Sequence, residues 1–376
     1  MLKRPLEARR IAVRWGWSVV LGSALCLSGC GMRPVVGKAH ASSAASAPRR
    51  AMTFITEPEE GFAPWREALA AAKTGVDVNA YLLTDRTYIH QLIQLAARGI
   101  PVRVLLDRDP YGDSRAPHQE FRAFAGTRVK VRWAPARFSG SYAFDHAKYL
   151  VVNPGTPQAI AILGSANGTA SALDGDNVED DLETTEPDVT EALDQVFQAD
   201  WTNRPVGASP RHVLVVSPGS QSALATLLRV SSTHPIAVMM EELGTDFVAY
   251  HALASAGPRA RVLIPYTGHQ TVREQDIITY LQAAGVHVRG LRQPYLHAKL
   301  IVGAGQTFIG SQNFSVTSME SNREVGLITT SPAIHASALA WFNHWWAQAQ
   351  PLGPSCNDNG LWENEKKEGR LCERWS

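Results

Sequence analysis

The sequence predicts an α/β fold made of two similar halves. Three observations carry this expectation. Short apolar runs bounded by turn residues alternate with helical segments, the pattern of sheets covered by helices. The order strand, helix, strand, helix, strand, strand is met twice, over residues 52–205 and again over 206–350. The chain has 376 residues, beyond the ~250–300 at which a single hydrophobic core stops growing, so two core-bearing lobes are allowed.

Residues 1–29 read as a targeting segment outside the fold. Lys3, Arg4, Arg9, Arg10 and Arg14 precede an apolar stretch from Trp15 to about Leu27. That stretch is short and rich in Gly and Ser for a membrane span of ~20 residues. It ends in Leu27-Ser28-Gly29-Cys30, which is similar to a bacterial lipobox. There a thiol takes the lipid, and small residues before it admit the peptidase. On this reading Cys30 is the lipid attachment site and the first residue of the mature protein. The alternatives are a plain secretory signal or an uncleaved anchor, and Arg9-Arg10 is only loosely similar to a twin-arginine signal. A lipid-anchored periplasmic protein is therefore expected, with Gly31 after the cysteine pointing to the outer membrane rather than the inner.

Residues 30–51 are rich in Ala, Ser and Gly and read as a flexible tether. Removal of residues 1–29 takes away five basic residues and one acidic, leaving 31 against 34 and a net charge of −3 in place of +1. Bulk charge thus gives no sign of a nucleic-acid binder. An apolar fraction of 45% and a charged fraction of 19% are those of a globular chain.

In the first half, residues 76–83 read as a strand. A helix follows over about 85–98, stopped by Gly99, and then a buried strand over 101–106. In the second half the strand is 235–240, the helix about 245–255, and the next strand 261–264. Arg261-Val262-Leu263-Ile264 matches Arg103-Val104-Leu105-Leu106. The last helix is capped by Ser331, carries Pro332 in its first turn and runs to about Gln350. Its Trp341, Phe342, Trp345 and Trp346 are expected in the core or at the lobe interface. Residues 351–376 read as a tail. Its Cys356 and Cys372 are the pair an oxidising compartment would join as a disulfide, closing a loop worth roughly 3 kcal/mol; the alternative is two free thiols. No cysteine–histidine cluster has metal-ligand spacing.

The chemistry-bearing residues recur with the halves. Asp145-His146-Ala147-Lys148 is followed by Gly164-Ser165-Ala166-Asn167 and then by Asn177-Val178-Glu179. Leu296-His297-Ala298-Lys299 is followed by Gly310-Ser311-Gln312-Asn313 and then by Asn322-Arg323-Glu324. The histidines are 151 residues apart and the Gly-Ser pairs 146 apart, so the whole set is duplicated in order. On a strand, residues i and i+2 share a face. His146 therefore projects with Lys148, and His297 with Lys299, while Ala147, Tyr149 and Val151 face packing. Two lysines and two amides converging on one point suit the nonbridging oxygens of a phosphodiester, and phosphoryl transfer is catalysed largely by such positioning and charge. The acids Asp107, Asp109, Glu241 and Glu242 end predicted strands and read by default as solvated loop charges, with lining of the site's mouth as the alternative.

From about Thr53 to Gln350 the chain resembles the phospholipase D superfamily. The resemblance implies two pseudo-symmetric α/β lobes with mixed sheets and an active site at their interface. It implies a phospholipid phosphodiesterase that needs no metal or other cofactor. His146 would attack phosphorus and His297 would protonate the leaving alcohol, then activate water or another alcohol. Lys148, Lys299, Asn167 and Asn313 would hold the phosphate, helped by Ser165 and Ser311. Glu179 and Glu324 would hold the far nitrogens of the histidines. The fuller family motif has an Asp five residues after each Lys, where this chain has Asn153 and Ala304, which puts rate or stability in doubt more than the chemistry. A metal-independent endonuclease of the same fold, a phosphatidyltransferase such as cardiolipin synthase, and a catalytically dead binding module are the alternatives. A nuclease would need a basic, aromatic-studded groove.

Overall fold

The computed structural model describes residues 51–112, 115–140, 142–244, 250–266, 268 and 270–352. The signal segment, Cys30, the tether up to residue 50, Cys356 and Cys372 lie outside the described residues.

The first lobe contributes strands β1 (Met52–Glu57), β2 (Val76–Ala80), β3 (Val102–Leu106), β4 (Lys130–Trp133), a small hairpin of β5 (Ser139–Gly140) and β6 (Ala143–Phe144), then β7 (Tyr149–Val152), β8 (Ile160–Gly164) and β9 (Asn177–Thr184). The second contributes β10 (Val215–Ser217), β11 (Ile236–Met240), β12 (Ala260–Pro265), β13 (His287–Leu291), β14 (Tyr295–Leu296), β15 (Lys299–Gly303), β16 (Gln306–Gly310), β17 (Glu324–Thr329) and β18 (Gln350–Pro351). The first sheet runs β1-β9-β8-β7-β2-β3-β4, and the second β10-β17-β16-β15-β11-β12-β13-β18. In each, a parallel set (β2-β3-β4, β11-β12-β13) meets an antiparallel set at the strand that follows the His-x-Lys motif. The two mixed sheets form the two pseudo-symmetric lobes.

Local chemistry accounts for the elements around the site. Strands β7, β8 and β11 are buried on both faces, so they read as continuous apolar runs, and β15 does so after Lys299; β2 is equally buried but alternates, with Asp77 and Asn79 held by polar partners. Helix α1 spans Ala63–Ala70 and α2 spans Arg86–Ala97. Asp85 caps α2 by accepting from Tyr88 N at 2.7 Å, a contact worth ~1 kcal/mol. Gly99 follows with φ +90°, a backbone that a Cβ would strain. Strand β2 ends at Ala80, three residues earlier than its apolar run suggests, because Tyr81 turns out of the sheet. Helices α3 (Ala116–Ala123), α4 (Ala170–Leu173), α5 (Pro187–Trp201), α6 (Ala208–Val213), α7 (Gln221–Ser231), α8 (Tyr250–Ala256), α9 (Val272–Ala283) and α10 (Pro332–Gln348) complete the covering layers. The expected helix over 245–255 is present as α8; its first five residues lie outside the described residues.

One core cluster joins the lobes. Ala147, Tyr149 and Val151 of the first motif strand pack in it with Ala298, Leu300 and Val302 of the second, between α5 and α10. Trp341, Phe342 and Trp345 are buried there, and Trp346 packs against it. Helix α10 stops two residues short of Gln350, because Gln350 and Pro351 pair with Gly290 and Arg289. Among the described residues, no helix is long and apolar enough to cross a membrane.

The lobes are also stitched by backbone. Strand β14, contributed by the second lobe, joins the first sheet by pairing in parallel with β9, Tyr295 with Asn177 and Leu296 with Val178. A parallel bridge between Asp145 and Arg323 repeats the arrangement on the other side. Beneath it, the buried Arg323 guanidinium donates to Asp200 of α5 at 2.7 and 3.0 Å and to the Ser217 carbonyl.

Candidate active site

Each histidine is delivered by one of these inter-lobe pairings. His146 N donates to Arg323 O at 2.9 Å, and His297 N donates to Val178 O at 3.0 Å. A backbone anchored across the interface leaves little freedom at either ring. Two residues on, Lys148 Nζ donates to His146 O at 2.6 Å and Lys299 Nζ to His297 O at 2.5 Å. The motifs do not lie within strands as the sequence suggested: His146 and Lys148 precede β7, and His297 precedes β15, which begins at Lys299; the intervening Ala147 and Ala298 are fully buried. Both histidines, both lysines, Asn167 and Asn313 are each no more than 9% exposed.

The carboxylates cross between lobes. His146 Nδ1 lies 2.9 and 3.0 Å from the oxygens of Glu324, and His297 Nδ1 lies 2.6 Å from Glu179 Oε2. An ionised carboxylate at Nδ1 accepts that N–H and leaves Nε2 as the reacting atom. Burial opposes ionisation of Glu324, but the charge and hydrogen bond of His146 and the charge of Lys148 outweigh it and hold the carboxyl below its ordinary range. Burial pushes His146 below the usual imidazole value, against the pull of Glu324 and with the push of Lys148. Burial thus favours the neutral ring, the state in which an imidazole is a nucleophile.

A further ring of donors fixes the carboxylates. Glu179 accepts from Ser165 Oγ at 2.7 Å and Asn177 Nδ2 at 2.9 Å. Glu324 accepts from Ser318 Oγ at 2.7 Å and Asn322 Nδ2 at 3.0 Å. Ser165 and Ser311 are fully buried. Each hydroxyl accepts the backbone N–H that follows its carboxylate, Asp180 N at 2.9 Å and Val325 N at 3.1 Å. The structure therefore places them under the glutamates and not in the cleft, away from the substrate-binding position the sequence suggested. Gly164 permits this packing, since a Cβ there would meet Asp180 O at 2.3 Å.

The acids at the strand ends divide. Asp109 and Glu242 are exposed. Asp107 is fully buried and accepts from Asp145 N at 2.6 Å and Asp109 N at 2.8 Å, which anchors the segment entering His146. Glu241 stands inside the site, where its carboxylate accepts from Lys299 Nζ at 2.7 Å, Tyr295 Oη at 3.2 Å and Asn313 Nδ2 at 3.3 Å. It also lies 3.5 Å from His297 Nε2. The repeat held the signal for it: Glu241 directly follows β11 as Tyr81 follows β2. The Tyr81 ring packs edge-on to His146 at 4.5 Å, and Lys148 Nζ sits 4.9 Å from its centre. Burial and the like charge of Lys299, partly offset by Glu324, push Lys148 down to about 7.

Asn153 and Ala304 lie at the turns leaving β7 and β15, both with left-handed backbone at φ +54° and +50°. Asn153 Oδ1 accepts from Lys73 N at 2.7 Å and Thr74 N at 3.0 Å, so it ties down the loop entering β2. Ala304 has no side chain for such a contact.

Comparison with known proteins now bears on this geometry. Residues 65–201 and 232–346 match the family model described as "Cardiolipin synthase, PLD-like domain". Among curated protein sequences, none matches the chain. Of solved structures, the phosphatidylserine synthase of Haemophilus influenzae Rd KW20 is similar with a TM-score of 0.60 at 12% identity, over 80% of this chain and 87% of its own. The polyphosphate kinase of Porphyromonas gingivalis is similar with a TM-score of 0.61 at 15% identity, over 86% of this chain. The chain spans about half of that kinase, 51% of its length. At such identities the structures show a shared fold. The family match takes in most of the chain and encloses both copies of the His-x-Lys, Gly-Ser-x-Asn and Asn-x-Glu set, and by it the chain belongs to this family of PLD-like domains within the phospholipase D superfamily.

Proposed function

We propose that the protein is a phospholipase D-type phosphodiesterase that cleaves phospholipid headgroups. One observation carries the reading: two histidines, each oriented by the glutamate of the opposite lobe, share a buried site with two lysines and two asparagines. In this reading His146 attacks phosphorus through Nε2 and the headgroup alcohol leaves with a proton from His297. His297 then takes a proton from water, whose oxygen displaces His146 from phosphorus. The downward push of burial on His146, which favours its neutral form, suits the first role. Transfer to a second alcohol in place of water uses the same residues, and the family's name fits that outcome equally.

The surroundings suit a lipid substrate. Tyr111 and Tyr142 are 85% and 76% exposed. Tyr111 N donates to Tyr81 Oη at 2.6 Å, and Tyr142 sits at the turn of the β5–β6 hairpin that leads into His146. Amphipathic rings at the mouth of a site suit a lipid–water interface. The lipid anchor read at Cys30 would hold such an enzyme against its substrate.

The test is turnover of phosphatidylcholine vesicles and of plasmid DNA, separately, by the purified full chain in EDTA. Headgroup release abolished by His146→Asn and by His297→Asn is the expected result. DNA cleavage abolished by both changes would move the protein to the nucleases, and absence of headgroup release would remove the phospholipase reading.

A further inference from the structure

The twofold symmetry of the site is broken at one position. Tyr81 and Glu241 are equivalent, as the matching bridges Leu83–Gly168 and Leu243–Phe314 show two residues later. The exchange of a phenol for a carboxylate changes what each lobe can bind. In the second lobe, Lys299 Nζ and Asn313 Nδ2 both donate to Glu241. In the first lobe, among the described residues, Lys148 has no carboxylate within ion-pairing distance and Asn167 Nδ2 has no carboxylate acceptor such as Asn313 Nδ2 finds in Glu241, while the buried Oδ1 atoms of both asparagines are unpaired. One lysine–asparagine pair is therefore committed to a fixed anion and the other is open to a mobile one.

Burial opposes ionisation of Glu241, but the charges of His297 and Lys299 outweigh it and hold the carboxyl far below its ordinary range. A second anion beside it would meet a fixed negative charge at close quarters, which is costly in a buried site. A neutral or cationic donor would meet an acceptor 3.5 Å from His297 Nε2.

We propose that Glu241 orients the substrate. It confines the nonbridging phosphoryl oxygens to Lys148 and Asn167 of the first lobe, and it accepts a hydrogen bond from a hydroxyl or ammonium group on the alcohol that leaves beside His297. This rests on the phosphodiesterase reading for the identity of the leaving group. His146 Nε2 forms the bond to phosphorus as the bond from phosphorus to the leaving oxygen breaks, and that oxygen takes the proton of His297 Nε2. Glu241 takes no proton; it is a specificity-determining residue. The substrates it favours are phosphodiesters of amino alcohols and polyols, and it disfavours a leaving group that carries a second phosphate near the ester.

Two measurements on the full chain test this. The first is calorimetric titration with inorganic phosphate, which needs no turnover. Loss of a charge-assisted hydrogen bond in Lys148→Gln should weaken phosphate binding about tenfold or more. Lys299→Gln should change it less than about threefold, and Glu241→Gln should tighten it several-fold. A gain in anion affinity is not what a damaged fold produces, so Glu241→Gln decides alone if Lys148→Gln does not fold. Equal losses from the two lysine variants, or unchanged affinity in Glu241→Gln, would overturn the proposal. The second compares vesicles of phosphatidylethanolamine and phosphatidylmethanol, whose headgroups differ in carrying a donor. The wild type should favour the former in kcat/KM by about tenfold, the worth of one good hydrogen bond, and Glu241→Gln should narrow the gap; equal preference in both proteins would also overturn it. Inactivity on both lipids would remove the phospholipase reading, and the phosphate titration would still decide the role of Glu241.

Discussion

Glu324, on β17 of the second lobe, holds the ring of His146 in the first lobe at 2.9 Å, and Glu179 returns the arrangement to His297 at 2.6 Å. Neither half therefore carries a working histidine alone. Each imidazole takes its orientation from a strand of the other lobe, reached through the β14–β9 pairing and the Asp145–Arg323 bridge.

Glu324→Gln should keep the fold, since the amide matches the carboxylate in shape and can still accept from His146 Nδ1. It removes the charge that stabilises imidazolium as the reaction proceeds. Loss of such an orienting partner costs ~10–100-fold in activity. The expected result is that drop in kcat with KM within about threefold, and the same for Glu179→Gln. A variant with wild-type kcat would show that the crossed pairs are structural only.

The pH profile follows from two groups. His146 must be neutral to attack, so activity rises with pH through its depressed pKa. Lys148 must be charged to hold phosphate, and burial together with Lys299, against Glu324, sets its loss of charge at about 7 in the free protein. Glu241 and Glu179 also face it and favour the charged form. The profile of kcat/KM, which reports the free enzyme, should thus peak below pH 7 and fall through about 7. In kcat the same limb should lie higher, because a bound anionic phosphate favours the ammonium. Lys148→Arg should abolish the limb near 7, since a guanidinium does not titrate there. An unmoved limb in that variant assigns it to another group.

Much of this site was legible in the sequence, and the rest was hidden for a physical reason. The i, i+2 spacing is local, so His146 with Lys148 and His297 with Lys299 could be paired from it alone, although each motif leads into its strand rather than lying within it. The carboxylates could be named from the repeat. Their crossing could not, because it depends on parallel pairing between residues more than 100 apart, Tyr295 with Asn177 and Asp145 with Arg323. Glu241 was one of four acids at strand ends that the sequence could place either in solvent or at the mouth of the site. Only the tertiary position of Lys299, Tyr295 and Asn313 makes it a member of the site. Ser165 and Ser311 were misplaced for the converse reason: glycine before serine signals close backbone approach, but the approach is to β9 and β17 rather than to a ligand.

Arg323 and Asp200 tie the lobes together beneath the site. The guanidinium is 2% exposed and donates twice to Asp200, which also accepts from Arg137 at 2.7 Å. Removing one member of a buried pair leaves the other uncompensated, at a cost of ~3–5 kcal/mol. Arg323→Met should therefore lower the unfolding free energy by about that amount in urea titrations. Because His146 N is anchored on the carbonyl of the same residue, activity should fall before the fold does as denaturant rises. Coincident loss of activity and secondary structure would show that the interface and the lobes melt as one unit.

Ala304 offers a change in the opposite direction. Its φ of +50° places a Cβ in the left-handed region, where Asn153 stands at the equivalent turn with φ +54°. That backbone costs an L-residue with an apolar side chain ~1–2 kcal/mol, and asparagine bears it more readily. Ala304→Asn should stabilise the protein by a few tenths to about 1 kcal/mol. Ala304→Val, which is branched at Cβ, should destabilise it by a similar or larger amount. The measurement is the urea midpoint at constant m-value, which isolates stability from a change in the unfolded state. Activity should stay at the wild-type level in Ala304→Asn, since the turn lies at the far end of β15 from Lys299. A lowered midpoint in Ala304→Asn would mean that the turn is held by contacts that favour a small side chain over the backbone preference.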